Sequence, residues 1–201
     1  MKLLLTPLLA GALLAFAAPV QAVPVVFITT LTGAAEVPPN SSPGTGTGRV
    51  TLDEDAQTLR IETSFSGLTA NTTVAHIHCC TAAPNTGTAI PATQVPTLIG
   101  FPAGVTSGSY DQLFDMTDAA SYNPAFITDV GGGSVGGAFA AFVAGIESQT
   151  AYLNIHTTEF PAGEIRGFLA PIPEPATVSL LLGGLAVLAM AGRRGRGRTA
   201  G

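Results

Sequence analysis

Three histidines carry the most pointed chemistry in this chain of 201 residues. Two stand in residues 73–80, read TVAHIHCC, and the third, His156, in residues 151–157, read AYLNIHT. Both runs read as strands, where side chains alternate between faces and residues two apart point the same way. His76 and His78 therefore share one face, with Ala75 and Ile77 on the other. In the second run Tyr152, Asn154 and His156 share a face, opposed by Leu153 and Ile155. If both strands turn their isoleucines into a core, all three histidines emerge together on the far side of the sheet. Three imidazoles suit Cu, Zn or Ni, so the pattern is either a small metal site or a polar decoration near a rim. Were the first strand to continue, Cys80 would join His76 and His78 on their face and offer a thiolate as a further soft ligand.

The elements that must position these groups are short and β-like. Residues 25–31 (VVFITTL) are rich in β-branched side chains and read as a first strand. A loop of turn formers follows at 40–48 (NSSPGTGTG). Val50 and Leu52 alternate with polar neighbours. Leu59, Ile61, Thr63 and Phe65 alternate with Arg60, Glu62, Ser64 and Ser66, the cleanest period-two pattern in the chain. Residues 81–108 hold four prolines yet keep Leu98, Ile99 and Phe101, so they read as an ordered surface excursion suited to binding. Residues 109–116 return to a strand, and 118–127 form a short helical or turn segment ending at Asn123-Pro124. Residues 135–146 can form a helix with Val135, Phe139, Phe142 and Ile146 on one stripe. Residues 164–169 (EIRGFL) give a last strand. The expectation is a mainly β domain: an antiparallel Greek-key, immunoglobulin-like or superoxide-dismutase-like sandwich, flanked by an N-terminal signal helix and a C-terminal transmembrane helix.

The two ends read as addresses. Residues 1–22 form a signal peptide, with Lys2, an apolar run and the small-x-small ending Val20-Gln21-Ala22. Residues 23–172 are the body, large enough for one core. Its three arginines stand against twelve acids, a net of −9, so phosphate backbones should be repelled and no nucleic-acid partner is expected. Residues 173–201 open with Pro173-Glu174-Pro175. An apolar run at 176–192 follows, and then Arg193, Arg194, Arg196 and Arg198. At about 1.5 Å per residue the run spans roughly 25 Å as a helix, just enough for a thin bilayer, with the arginines cytoplasmic. Motif, helix and arginines in that order resemble the PEP-CTERM sorting signal of Gram-negative bacteria. The resemblance implies an inner-membrane-anchored precursor, cut near the motif by an exosortase-type protease and passed to the cell surface or beyond.

Glu36, Glu164 and Arg166 form either a structural salt bridge or a polar end to the histidine face. The adjacent Cys79 and Cys80 cannot staple distant segments. There is no Ser-His-Asp order, nucleophile elbow, phosphate-cradling loop or aromatic interleaving for nucleic acid. The body does resemble one family in ordered motifs: Leu31-Thr32-Gly33, Glu36-Val37-Pro38-Pro39, Gly67-Leu68, Ala75-His76-Ile77-His78, then 152–157 (YLNIHT), 160–163 (FPAG) and 164–167 (EIRG). These are similar to the CHRD domain, named for chordin and found in bacterial secreted proteins, which implies a fold more than an activity. A narrower likeness is to copper/zinc superoxide dismutase. There, as here, a Gly-Leu pair precedes His-x-His on a strand, and the copper histidines project outward from a Greek-key sandwich. With no fourth histidine to bridge two metals, full dismutase chemistry is not expected. Two readings stand: a non-enzymatic surface or extracellular-matrix module, and a copper- or zinc-binding surface protein centred on His76, His78 and His156.

Overall fold

A computed structural model describes residues 23–172 and the pair 184–185. The signal peptide expected at 1–22 and the sorting segment from Pro173, Glu174 and Pro175 to the arginines lie outside the described residues, apart from that pair. Among the described residues no helix is long and apolar enough to cross a membrane.

Eight strands make the frame: β1 (Val25–Thr32), β2 (Thr45–Asp53), β3 (Thr58–Ser66), β4 (Thr72–His78), β5 (Gly108–Asp115), β6 (Tyr152–Thr157), β7 (Ile165–Phe168) and the two-residue β8 (Ala170–Pro171). Their pairings are antiparallel and run in the order β4-β6-β7-β1-β2-β3-β5, with β8 beside β1. β2 and β3 form a long hairpin in which Val50 faces Ile61 and Leu52 faces Leu59. Its turn is held by Asp53, whose Oδ1 accepts from the Ala56 backbone N–H at 2.9 Å. The alternation read from the sequence holds here, with Leu59, Ile61, Thr63 and Phe65 buried.

Two packed sheets were expected, and the described residues form one curled sheet instead. The reason lies in β1. One of its edges pairs with β2 along its whole length, while the other takes β7 at Thr32 and β8 at Phe27 and Ile28. That shared strand joins what would have been separate layers. The apolar face is then covered by helices and loops. α1 (Pro124–Asp129) contributes Phe126, and α2 (Val135–Glu147) lays Phe139, Phe142 and Ile146 onto the core. The expected stripe of α2 is present. The segment before it differs from expectation, because Asn123-Pro124 begins a helix rather than ending one. Asn123 caps α1 by accepting from Ala125 N–H at 3.0 Å, and proline is tolerated in the first turn, where its missing N–H costs nothing.

β4 is the terminal strand of the hydrogen-bonded order, so its outer edge needs partners. The excursion between β4 and β5 supplies them. Ala92 and Leu98 donate their backbone N–H groups to the carbonyls of Ile77 and Ala75 at 2.8 and 3.1 Å. The hydroxyls of Thr93 and Thr97 accept from the Ile77 and Ala75 N–H groups, both at 3.0 Å. Threonine side chains thus stand in for strand backbone, and the proline-rich excursion is pinned across the strand that carries two histidines.

Candidate metal centre

Register puts the histidines on one face. β4 pairs with β6 so that His76 lies opposite Asn154, His78 opposite Tyr152 and His156 opposite Val74. Directly opposed residues in an antiparallel pair share a face. The apolar set Ala75, Ile77, Leu153 and Ile155 fills the core side, and all four are fully buried. The face is the one read from the sequence, but its surroundings are not open. His76, His78 and His156 are only 6%, 7% and 7% exposed.

What covers them also aims them. His76 donates from Nε2 to the Pro96 carbonyl at 2.8 Å, and His78 from Nδ1 to the Ala89 carbonyl at 2.8 Å. His156 donates from Nδ1 to the Pro161 carbonyl at 2.9 Å. A carbonyl can only accept, so each bonded nitrogen carries the proton and the other keeps its lone pair. Those remaining atoms, His76 Nδ1, His78 Nε2 and His156 Nε2, are buried and have no partner. Each of the three histidines offers one ring nitrogen that lies within 4.8 Å of those offered by the other two. Donors at that spacing enclose a point within about 3 Å of each, against about 2.0–2.1 Å for a Zn–N bond, so the rings must draw inward to bind an ion.

Burial holds the imidazoles neutral. It pushes His76 and His78 down to about 4, against the weaker opposing pull of their carbonyl bonds, and the neighbouring imidazoles lower both further. His156 is lowered by burial in the same way. Neutral imidazole is the form that ligates a metal. Each ring therefore has the protonation state, the tautomer and the backbone support that a metal-binding histidine needs.

A cation closes one side. The ring of Tyr152 stacks on His78, with centroids 4.8 Å apart and planes 8° from parallel. The Arg166 guanidinium sits over that ring at 4.6 Å from its centroid. Arg166 donates to the carbonyls of Ala35 at 2.5 Å and Gly87 at 3.1 Å, and its Nε lies 3.8 Å from Glu36 Oε2. Burial raises Glu36 to about 7, although Arg166 pulls the other way. Glu164 does not belong to this group. Its carboxylate accepts from Ser42 Oγ at 2.5 Å, the Thr69 N–H at 2.6 Å and Thr157 Oγ1 at 2.7 Å, a clasp between loops. Those bonds outweigh its own burial and hold it below the usual carboxylate range.

Cys80 stands apart from the histidines. β4 ends at His78, and Cys79 and Cys80 are joined in a disulfide, leaving no thiolate to offer. Both sulfurs lie against Gly145 of α2, where a Cβ would collide with them. The sequence pointed to the three histidines. It did not show the carbonyls of Ala89, Pro96 and Pro161, because a backbone carbonyl leaves no mark on residue type. Nor did it single out Asn154, whose signal was its place between Tyr152 and His156 on the histidine face.

The profile of the CHRD domain matches residues 27–169, which takes in all three histidines, Glu36, Asn154 and Arg166. The profile of the PEP-CTERM protein-sorting motif matches residues 171–196. Comparison with curated proteins finds no match, nor does comparison with solved structures. The sorting motif marks an exported protein handled by an exosortase. The chain belongs to the CHRD-domain family and carries a PEP-CTERM sorting motif behind that domain.

Proposed function

We propose that this chain is an exported metal-binding module of the cell surface, holding one Cu or Zn ion at His76, His78 and His156. The observation that carries the reading is the set of three buried histidines that each offer a ring nitrogen within 4.8 Å of the others, each with one unpartnered nitrogen and a carbonyl bond on the other. Buried polar atoms without partners are uncommon and call for an explanation. Three neutral imidazoles also repel no cation. Stability alone does not explain the arrangement, since apolar side chains would fill the space without leaving lone pairs unmet.

The sorting segment supports delivery. In this reading, residues 176–192 hold the precursor in the inner membrane, the arginines stay cytoplasmic, and the protease releases the body outward. The module then presents its ion at the surface or to an extracellular-matrix component, and it acts by binding.

The test is the metal content of the exported protein purified from its host, with uptake of Cu(II) and Zn(II) measured by elemental analysis. About one ion per chain is expected, weakened at least tenfold by His78→Ala and lost in the triple His→Ala protein. Equal, weak uptake by wild type and the triple variant would end the metal reading.

A further inference from the structure

Five buried side-chain atoms among the described residues have no hydrogen-bond partner: the three imidazole nitrogens, Oδ1 of Asn154 and Oε1 of Glu36. The first oxygen sits on the strand face that carries the histidines, and the second lies close to the first. Asn154 is the direct cross-strand partner of His76 and lies two residues before His156 on the same face. It is 2% exposed, and Glu36 is 5% exposed. Glu36 turns its Oε2 toward Arg166 and leaves Oε1 unmet. Gly163 rests on both groups. A Cβ there would stand 2.6 Å from Asn154 Oδ1 and 2.6 Å from Glu36 Oε1, so the two oxygens are at most twice that distance apart. A single water about 2.8 Å from each acceptor can bridge oxygens up to roughly 5.5 Å apart.

Acceptors need donors, and no donor in the structure meets either oxygen. The imidazole N–H groups go to Pro96, Ala89 and Pro161. Arg166 donates through Nε to Ala35 and through Nη1 to Gly87. A metal held by three imidazoles keeps a further coordination position, which water fills in sites of this kind. A bound water has two O–H groups, and two unmet acceptors lie near one another around Gly163, one of them on the cross-strand partner of His76.

Resting on the metal reading above, we infer that the centre has an exchangeable fourth position. A water occupies it, donating one O–H to Asn154 Oδ1 and the other to Glu36 Oε1, and small exogenous ligands replace it. A cavity of about 270 Å³ lined by Glu36, Val37, Pro38, Phe160, Pro161 and Gly163 meets this group at Glu36; neither the histidines nor Asn154 line it, so a ligand would enter past Glu36. Glu36 thus belongs to the cavity wall and to the water's shell together, and Pro161 both walls the cavity and aims His156. A water's share of liquid volume is about 30 Å³, so the cavity has room for a ligand of a few heavy atoms. The ligand class is therefore small oxygen- or nitrogen-donor molecules and anions.

The experiment loads the purified exported protein with Co(II), whose visible spectrum reports its coordination, and titrates with azide. A saturable spectral change at one Co(II) per chain is expected. Glu36→Gln should keep the Co(II) and tighten azide binding about tenfold, because an amide donates to the anion where a carboxylate opposes it. Asn154→Asp should keep the Co(II) and weaken azide binding by a similar factor, and the exposed Glu54→Gln should leave it unchanged. Absence of Co(II) uptake would overturn the metal centre and this inference with it. Full uptake with a spectrum indifferent to azide would overturn the open position alone. Azide affinity unmoved in both Glu36→Gln and Asn154→Asp would remove those two residues from it.

Discussion

The Ala89 carbonyl accepts from His78 Nδ1 and from the Tyr152 hydroxyl, so one backbone atom fixes both a ring's tautomer and the plane stacked against it. Such support keeps the imidazoles neutral and buried, and this sets the pH response of the metal-free protein. His76 and His78 sit near 4 in the folded chain against 6.5 when exposed. Between those values the unfolded chain binds more protons, so stability falls as pH falls, by about 3 kcal/mol per imidazole once both states are charged. Glu36 works the other way. Its folded value near 7 exceeds the 4.5 of the free carboxyl, so the folded chain binds the extra proton and gains stability as pH falls through that window. Two imidazoles outweigh one carboxyl. Urea unfolding of chelator-treated protein should therefore show a net loss of about 3 kcal/mol from pH 7 to pH 4. Glu36→Gln should steepen the loss by removing the opposing group. Stability that stays flat or rises toward acid would show that the histidines are not held neutral.

Ile61 stands at the centre of β3, fully buried between Val50 on one side and the β5 strand on the other. Ile61→Asp places an unpaired charge in the core and should unfold the domain at room temperature. Glu62 faces outward between Arg49 and Arg60, 3.4 and 3.6 Å from them. Glu62→Lys replaces an attraction with two repulsions at an exposed site, so it should cost about 1 kcal/mol at low salt and less as salt rises. Comparable losses from both changes, measured by chemical denaturation, would mean the faces of β3 are misassigned. Period-two alternation made this strand legible, and it made the shared face of His76, His78 and His156 legible for the same reason. Alternation states which side is buried, not what buries it. The single curled sheet therefore escaped it, because the joining contacts of β1 with β7 and β8 are a few backbone bonds with no side-chain pattern. The cover over the histidines escaped it as well. It depends on Thr93 and Thr97 docking a proline-rich segment across β4, a long-range contact that residue types in that segment do not encode.

At the scale of the whole molecule, the folded body and the sorting segment meet with almost no spacer. The CHRD match ends at Leu169 and the sorting match begins at Pro171. The last strand, Ala170–Pro171, pairs with β1, and Ile172 donates its N–H to the Val26 carbonyl at 2.9 Å. The motif Pro173-Glu174-Pro175 therefore starts one residue beyond the sheet. Proline fixes its own φ and disfavours helix in the residue before it, which is the sequence-level reason to expect the motif to suit a protease. In the proposed sorting step, the apolar run at 176–192 and the four arginines after it are what would retain the precursor at the membrane. Cleavage on the far side of the motif leaves every strand among the described residues and the three histidines intact, so release and the proposed metal binding are separable. In a host with the matching protease, the exported protein should have the intact mass of a chain that lacks residues 176–201 and should still bind its metal. Glu174→Ala should slow that processing, and deletion of 193–198 should impair retention of the precursor before it. Recovery of a native product that still carries 176–201 would make the segment a permanent anchor and would overturn the release step.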